Sequence, residues 1–323
     1  MNLRIGSRGS QLALWQAKHI AALLRGQGHS VEITIIKTTG DRLQEVTFAQ
    51  VGSKGMFTKE IEEALAAKRV DLAVHSLKDL PTELADPFAL AATPPRVDPR
   101  DALVSVMYES FATLPKGARV GTSSQRRRAQ LKALRSDIVA IEFRGNVDTR
   151  LRKLAEGQVD AILLASAGLD RLEKTEWVRE RMEPREFCPA AGQGALGIET
   201  RKDDAATIAA VAFLDDQATR FAVTAERAAL AALGGGCQVP IGIYCRAGLD
   251  ETSGTKPELW DEIFAVVANP ETGKSVRIYH RETRHRASDG DADPAALGRL
   301  AAQMLIDAGA GPLLASATAG GSK

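Results

Sequence analysis

Cysteine is scarce in this chain. Cys188, Cys237 and Cys245 are its only three in 323 residues, too few and too scattered for a disulfide framework or a zinc site. That fits a reducing compartment, and no metal is expected. Excess charge is also missing: 42 Lys and Arg stand against 41 Asp and Glu, a formal net charge of +1. Nothing therefore pulls the whole molecule toward nucleic acid or acidic membranes, and any charge-based function must rest on local clustering. Aromatic residues make up only 5%, which leaves few platforms for stacking bases. No apolar run is long enough to span a bilayer, and Met1-Asn2-Leu3-Arg4-Ile5 enters a strand-like pattern with no apolar signal core. The expected address is the cytoplasm.

What is present is an internal echo. Arg4-Ile5-Gly6-Ser7 leads into a helical pattern from Gln11 to Arg25, and Arg119-Val120-Gly121-Thr122 leads into one from Gln125 to Arg135. Val70-Asp71-Leu72-Ala73-Val74 is matched by Val159-Asp160-Ala161-Ile162-Leu163. Both pairs keep their order, which predicts two domains of similar build, each alternating strand and helix as in an open α/β sheet. The Pro-rich junction Thr93 to Asp101 and the Pro- and Gly-rich Cys188 to Ala195 predict two crossings, hence a double hinge with a cleft between. After about Gln217 the pattern becomes a helix to Leu233, short strands (Ile241 to Cys245, Ile263 to Val267, Ser275 to His280) and a helix from Pro294 to Ala308. This reads as a small α+β domain with an antiparallel sheet.

Chemistry-bearing residues gather where strands end. Four such loops are Ser7-Arg8-Gly9-Ser10, His75-Ser76-Leu77-Lys78-Asp79, Thr122-Ser123-Ser124-Gln125-Arg126-Arg127-Arg128 and Arg144-Gly145-Asn146. Open α/β sheets bind ligands at the carboxyl ends of strands, and helix N-termini there favour anions. Arg150 and Arg171 extend the list. Arginine grips planar oxyanions bidentately, so the cleft suits carboxylates or phosphates. Plainer readings stand beside this one: Arg126 to Arg128 as a solvated helix face, Ser10 as a helix cap, His75 as a satisfied core residue. Asp79 is either a salt-bridge partner or the one anion in a cationic cleft, suited to a positive charge developing on a substrate. Cys237 lies in Gly234-Gly235-Gly236-Cys237-Gln238-Val239-Pro240-Ile241-Gly242, where the glycines free the backbone and clear bulk from the sulfur. It is a functional thiol or, alternatively, a packing cysteine.

Together these segments resemble the porphobilinogen deaminase (hydroxymethylbilane synthase) family. The likeness runs in order through Arg4-Ile5-Gly6-Ser7-Arg8, Val51-Gly52-Ser53-Lys54-Gly55, Val74-His75-Ser76-Leu77-Lys78-Asp79-Leu80-Pro81, Gly121-Thr122-Ser123-Ser124, Arg144-Gly145-Asn146-Val147, Ala191-Gly192-Gln193-Gly194-Ala195 and Gly235-Gly236-Cys237-Gln238-Val239-Pro240. The resemblance implies two domains built like type II periplasmic binding proteins with a hinge, plus a third α+β domain. The expected boundaries are 1–94 with 195–214, then 100–190, then 217–314, and a flexible tail at 315–323. It implies a dipyrromethane cofactor joined to Cys237 by a thioether, four porphobilinogen additions with loss of ammonia, and hydrolytic release of the linear tetrapyrrole. By the same likeness Asp79 is the catalytic carboxylate. Lys78, Asp79, Ser124, Arg126, Arg127 and Arg144 would hold the cofactor, and Arg8, Ser10, Arg150 and Arg171 the substrate. Gln50 stands where the family often has Lys, Gln125 where Leu is common, and 250–261 looks like a hairpin extension. The loop Leu43 to Phe57 reads as a lid over the cleft.

A solute-binding protein or carboxylate sensor would explain the arginines but leaves Cys237 and the third domain idle. Nucleic-acid binding is opposed by the near-neutral charge and the short arginine run. With no long exposed apolar stripe, a monomer is expected.

Overall fold

A computed structural model describes residues 1–39, 58–235, 239–250, 258–284 and 293–319. Its strands are β1 (Asn2–Ser7), β2 (Ser30–Ile35), β3 (Leu72–Ser76), β4 (Phe88–Ala92), β5 (Asp101–Val104), β6 (Arg119–Gly121), β7 (Val139–Ile141), β8 (Ala161–Ala165), β9 (Val178–Arg181), β10 (Leu196–Arg201), β11 (Ile241–Asp250), β12 (Glu258–Ala268) and β13 (Ser275–Arg284). They form three sheets. The first runs β2-β1-β3-β10-β4 and the second β7-β6-β8-β5-β9. In the first, β1 pairs parallel with β2 and β3, whereas β10 is antiparallel to β3 and β4. The second repeats this pattern, with β6 parallel to β7 and β8, and β5 antiparallel to β8 and β9. The two expected α/β units of like build are thus present, each completed by an antiparallel strand that follows a crossing.

The echo has a side-chain signature. The Arg4 backbone N–H and Nε donate to Asp71 Oδ2 at 2.8 and 3.1 Å, and Nη2 donates to Oδ1 at 2.7 Å. Arg119 makes the same three bonds to Asp160 at 2.7, 3.4 and 3.0 Å. Each fork ties the start of a parallel strand to the residue just before or at the start of the next.

Helices cover the sheets: α1 (Gln11–Gly26), α2 (Lys59–Ala66), α3 (Gln125–Leu134), α4 (Val147–Ala155), α5 (Ser166–Arg171) and α6 (Ala205–Val211). The central strands β3, β8 and β10 are almost wholly buried, as expected of strands sandwiched between helix layers. Polar residues start the helices. Ser10 Oγ accepts from Ala13 N at 3.3 Å, and Asn146 Oδ1 from Thr149 N at 2.8 Å, satisfying N–H groups that have no helical partner.

The third sheet, β11-β12-β13, is wholly antiparallel. It packs on α7 (Gln217–Ala232) and α8 (Pro294–Asp307) through a core that includes Ile243, Ile263, Ala265, Val267, Leu297 and Leu305. The alanines of α7 permit close helix contact: a Cβ on Gly298 of α8 would lie 2.1 Å from the Ala225 carbonyl. The register extends to Asp250↔Glu258, so residues 250 and 258–261 of the stretch 250–261 belong to this hairpin, and 251–257 lie outside the described residues. The last helix, α9 (Gly311–Ala319), extends into the stretch 315–323 expected as a flexible tail, and 320–323 lie outside the described residues.

The crossings, 93–100 and 188–195, lie side by side. Gly194 has φ 88°, and a Cβ there would meet the Val97 carbonyl at 2.6 Å. Only glycine meets both demands.

Candidate active site

The β3 strand ends at Ser76, and the chain turns tightly through Leu77–Asp79. Leu77 is buried as the peg of this turn, which leaves Asp79 exposed and Lys78 half-buried. Arg8 and Ser10, from the loop between β1 and α1, line a cavity of about 70 Å³ together with His75, Ser76 and Asp79. Asp79 forms no ion pair within 4 Å among the described residues, so the salt-bridge reading finds no support. His75 does match its plainer reading. Its Nε2 lies 2.8 Å from Glu199 Oε2, and both side chains are buried. Ser10 is both helix cap and cavity wall.

Across the crossings, the arginines at the start of α3 depart from the solvated-face reading. Arg126 and Arg127 are buried, and only Arg128, paired with Glu142, keeps partial exposure. Nor are they an open cationic patch, because Asp101 at the head of β5 serves both. Its Oδ2 accepts from Arg126 Nη1 at 2.7 Å, and its Oδ1 accepts from Arg127 Nε and Nη2 at 2.9 and 2.6 Å. Both guanidiniums also donate to backbone carbonyls, Arg126 to Cys188 and Arg127 to Leu163. The two positive charges hold the Asp101 carboxyl far below its ordinary range, against its burial. Ser124, expected as a cofactor contact, caps α3 by accepting from Arg127 N at 3.5 Å.

Gln193 joins the two halves. Its Nε2 donates to Pro99 O at 2.7 Å and Asp101 Oδ1 at 3.1 Å, while its Oε1 accepts from Lys78 Nζ at 3.5 Å. Burial lowers the Lys78 ammonium to about 8, with Arg127 and Arg126 opposing its charge and Asp79 and Asp101 favouring it. Arg150 is lowered to about 10 by burial and by Arg127 and Arg144 nearby. Arg144 itself donates from Nε to Glu142 at 2.7 Å. Arg171 stands apart from this group. Its Nη2 donates to Gly194 O at 2.8 Å, its guanidinium lies over Trp15, and burial lowers it to about 10.

Asp101, Gln193 and Glu226 are the residues that sequence reasoning missed. Glu226, fully buried on α7, accepts from Arg96 Nη1 at 2.6 Å, Gly192 N at 2.6 Å and Cys245 N at 2.8 Å. It therefore fastens both crossings and β11 to one helix. The available signal was a lone carboxylate within the apolar stripe Ala222, Ala225, Ala229. Cys237 and the loop Leu43 to Phe57, with Gln50, lie outside the described residues. Among those described, no cluster of His, Cys, Asp or Glu could hold a metal ion, and no helix is long and apolar enough to cross a membrane.

The buried triad gives a stability prediction. Asp101→Asn leaves two interior guanidiniums without a counter-charge and should lower unfolding free energy by about 3–5 kcal/mol. Arg179, exposed and among the described residues bonded only to Ser105 O at 2.8 Å, supplies the control. Urea unfolding of Asp101→Asn and Arg179→Leu should separate them clearly, and equal midpoints would contradict the assignment.

Residues 3–209 match the family model for the porphobilinogen deaminase dipyrromethane cofactor binding domain, and residues 220–307 that for the porphobilinogen deaminase C-terminal domain. The porphobilinogen deaminase of Nitratidesulfovibrio vulgaris (strain Miyazaki F) is 48% identical over 316 residues, covering 97% of this chain and 96% of that protein. That of Roseiflexus sp. (strain RS-1) is 46% identical over 315 residues, 97% of this chain and 98% of that protein. Among solved structures, a periplasmic substrate-binding protein from Coxiella burnetii aligns over 66% of this chain and 91% of its own at 15% identity, with a TM-score of 0.41. With both family models matched in order and relatives of nearly equal length at this identity, the chain belongs to the porphobilinogen deaminase family.

Proposed function

We infer that this chain joins four porphobilinogen molecules head to tail, releases an ammonia at each addition and sets free the linear tetrapyrrole hydroxymethylbilane. We further propose that a thioether on Cys237 carries its dipyrromethane primer, that Asp79 is the catalytic carboxylate, and that Lys78, Ser124, Arg126, Arg127 and Arg144 hold the primer. In this reading Arg8, Ser10, Arg150 and Arg171 face the substrate. The domains are taken as 1–94 with 195–214, 100–190, and 217–314, followed by a flexible tail at 315–323.

One observation carries the residue-level reading. Lys78, at the end of β3 beside Asp79, donates to Gln193, which in turn donates to the Asp101 carboxylate that Arg126 and Arg127 of the second unit share. Burial is the main cause that lowers Lys78 and Arg150, with Arg127 opposing the charge of each, and the carboxylate arms of a pyrrole would offset that unfavourable positive charge. The donor set thus fits a polycarboxylate. When bound, the dipyrromethane supplies the terminal pyrrole carbon from which growth begins. The protein's own part is positioning and charge. Guanidiniums orient carboxylates, while the Asp79 carboxylate, exposed beside Arg8 and Ser10, stabilises the positive charge that develops on porphobilinogen as its ammonia departs. A binding-only role would leave Asp79 without a task.

Intact mass of the purified protein should exceed the sequence mass by one dipyrromethane unit, and the denatured protein should colour with Ehrlich's reagent. Consumption of porphobilinogen should release ammonia one for one. A protein with the bare sequence mass and no turnover would overturn the reading.

Lys78 gives a pH prediction. Its folded value, about 8, lies below the ordinary 10.5. Below pH 8 its charge is present and attracts carboxylates, at some cost in stability. Raising the pH from about 8 toward 10.5 removes that cost but also removes the attraction. KM for porphobilinogen should therefore climb above pH 8, and Lys78→Arg should abolish that limb. Identical pH profiles for the two proteins would exclude Lys78 as the titrating contact.

A further inference from the structure

The Asp79 cavity, at about 70 Å³, is small for a pyrrole with two carboxylate arms. A roomier groove of about 390 Å³ runs along the neighbouring face of α1, against the end of α5. Its walls include Leu14, Trp15, Lys18, Arg171, Leu172 and Glu173. Trp15 is held in place, stacked on His19 at 5.1 Å with the Arg171 guanidinium 5.9 Å from its ring. Arg171 is only 7% exposed and, among the described residues, donates one hydrogen bond, to Gly194 O. It forms no ion pair within 4 Å among the described residues. Lys18 is exposed and likewise has no acidic partner among them. The exposed Glu173 also lines the groove, and Asp170, paired with Arg181, favours the Arg171 charge from the same helix. The His19 imidazole is held low by burial and, secondarily, by Arg171 beside it.

We propose that this groove is an accessory subsite that receives an incoming porphobilinogen before it reaches Asp79. Leu14, Trp15 and Leu172 would cover the ring, while Lys18 and Arg171 would take its two carboxylates. The volume falls within the usual range for small-molecule sites, about 300–1,000 Å³. The groove shares α1 with the catalytic cavity, since Ser10, Ala13 and Gln16 line one and Leu14, Trp15 and Lys18 the other. This proposal rests on the functional reading above. It adds Lys18 and Trp15 as residues that set capture rather than chemistry.

Holoenzyme carrying Trp177→Phe and Trp260→Phe leaves Trp15 as the sole tryptophan. It would be titrated with a porphobilinogen analogue bearing methyl in place of aminomethyl, which cannot lose ammonia. A saturable change in Trp15 fluorescence is expected, weakened about three- to fivefold by Lys18→Gln, the scale of one exposed charge contact. In turnover, Lys18→Gln should raise KM by the same factor with kcat within about twofold. A flat titration, an unchanged KM, or a kcat loss without a KM change would each overturn the subsite. If the parent enzyme turns over porphobilinogen while Lys18→Gln behaves like it, only the groove fails. A parent that does not turn it over defeats the functional reading itself.

Discussion

Asp79→Asn should lower kcat by about 10²–10³, the scale for removing one preorganised electrostatic group. The substitution keeps size and hydrogen-bonding capacity and deletes only the charge. Because Asp79 is exposed at the cavity rim and makes no ion pair among the described residues, losing that charge unbalances no buried network, unlike the loss at Asp101. The variant should fold, carry its primer and bind substrate nearly as well, since arginines hold the carboxylates. Asp79→Glu should retain partial activity, its charge displaced by one methylene. Single-turnover kinetics with mass analysis of bound intermediates would check this. A kcat for Asp79→Asn within about threefold of the parent, under 1 kcal/mol of barrier, would remove Asp79 from the chemistry.

Cys237→Ser should fold and show no activity at all, because a hydroxyl is a far poorer nucleophile than a thiolate and no primer would be attached. The other two cysteines make informative controls. Both are buried, and burial pushes the Cys188 thiol up to about 12. Cys188 packs among Ala129, Phe264 and Val266, and its Sγ points to Phe264 O at 3.6 Å. Such a thiol is inert, so Cys188→Ala should keep the added primer mass at a modest packing cost. Primer retained by Cys237→Ser but lost from Cys188→Ala would reverse the assignment.

Much of this architecture was legible because it is written locally. The two echoes predict paired units, and the equivalent forks of Arg4 with Asp71 and Arg119 with Asp160 explain why those positions repeat. The loops at the ends of β1 and β3 likewise announced Arg8, Ser10 and Asp79. The hidden part depends on distance along the chain. Asp101 reads as the end of a proline-rich junction until the fold brings Arg126 and Arg127 onto it. Glu226 meets Arg96 across 130 positions, and Glu199 meets His75 across 124. No local pattern signals such a partner, so the arginine run read equally well as solvated surface. Its burial followed from a carboxylate that a separate strand delivers.

The placement of β10 bears on how the chain is made. Strand β4 pairs in its sheet only with β10, and β10 also covers the apolar strand β3. A ribosome must therefore add roughly 100 residues beyond β4 before the first sheet can close, about 5–20 s at ordinary elongation rates. Through that interval β3 presents an unpaired, hydrophobic edge, a template for mispairing with other nascent chains. The second sheet lies within one uninterrupted stretch, from β5 to β9, and is complete sooner. Nascent-chain proteolysis should thus find the amino-terminal half protected later than the middle of the protein, an inversion of synthesis order.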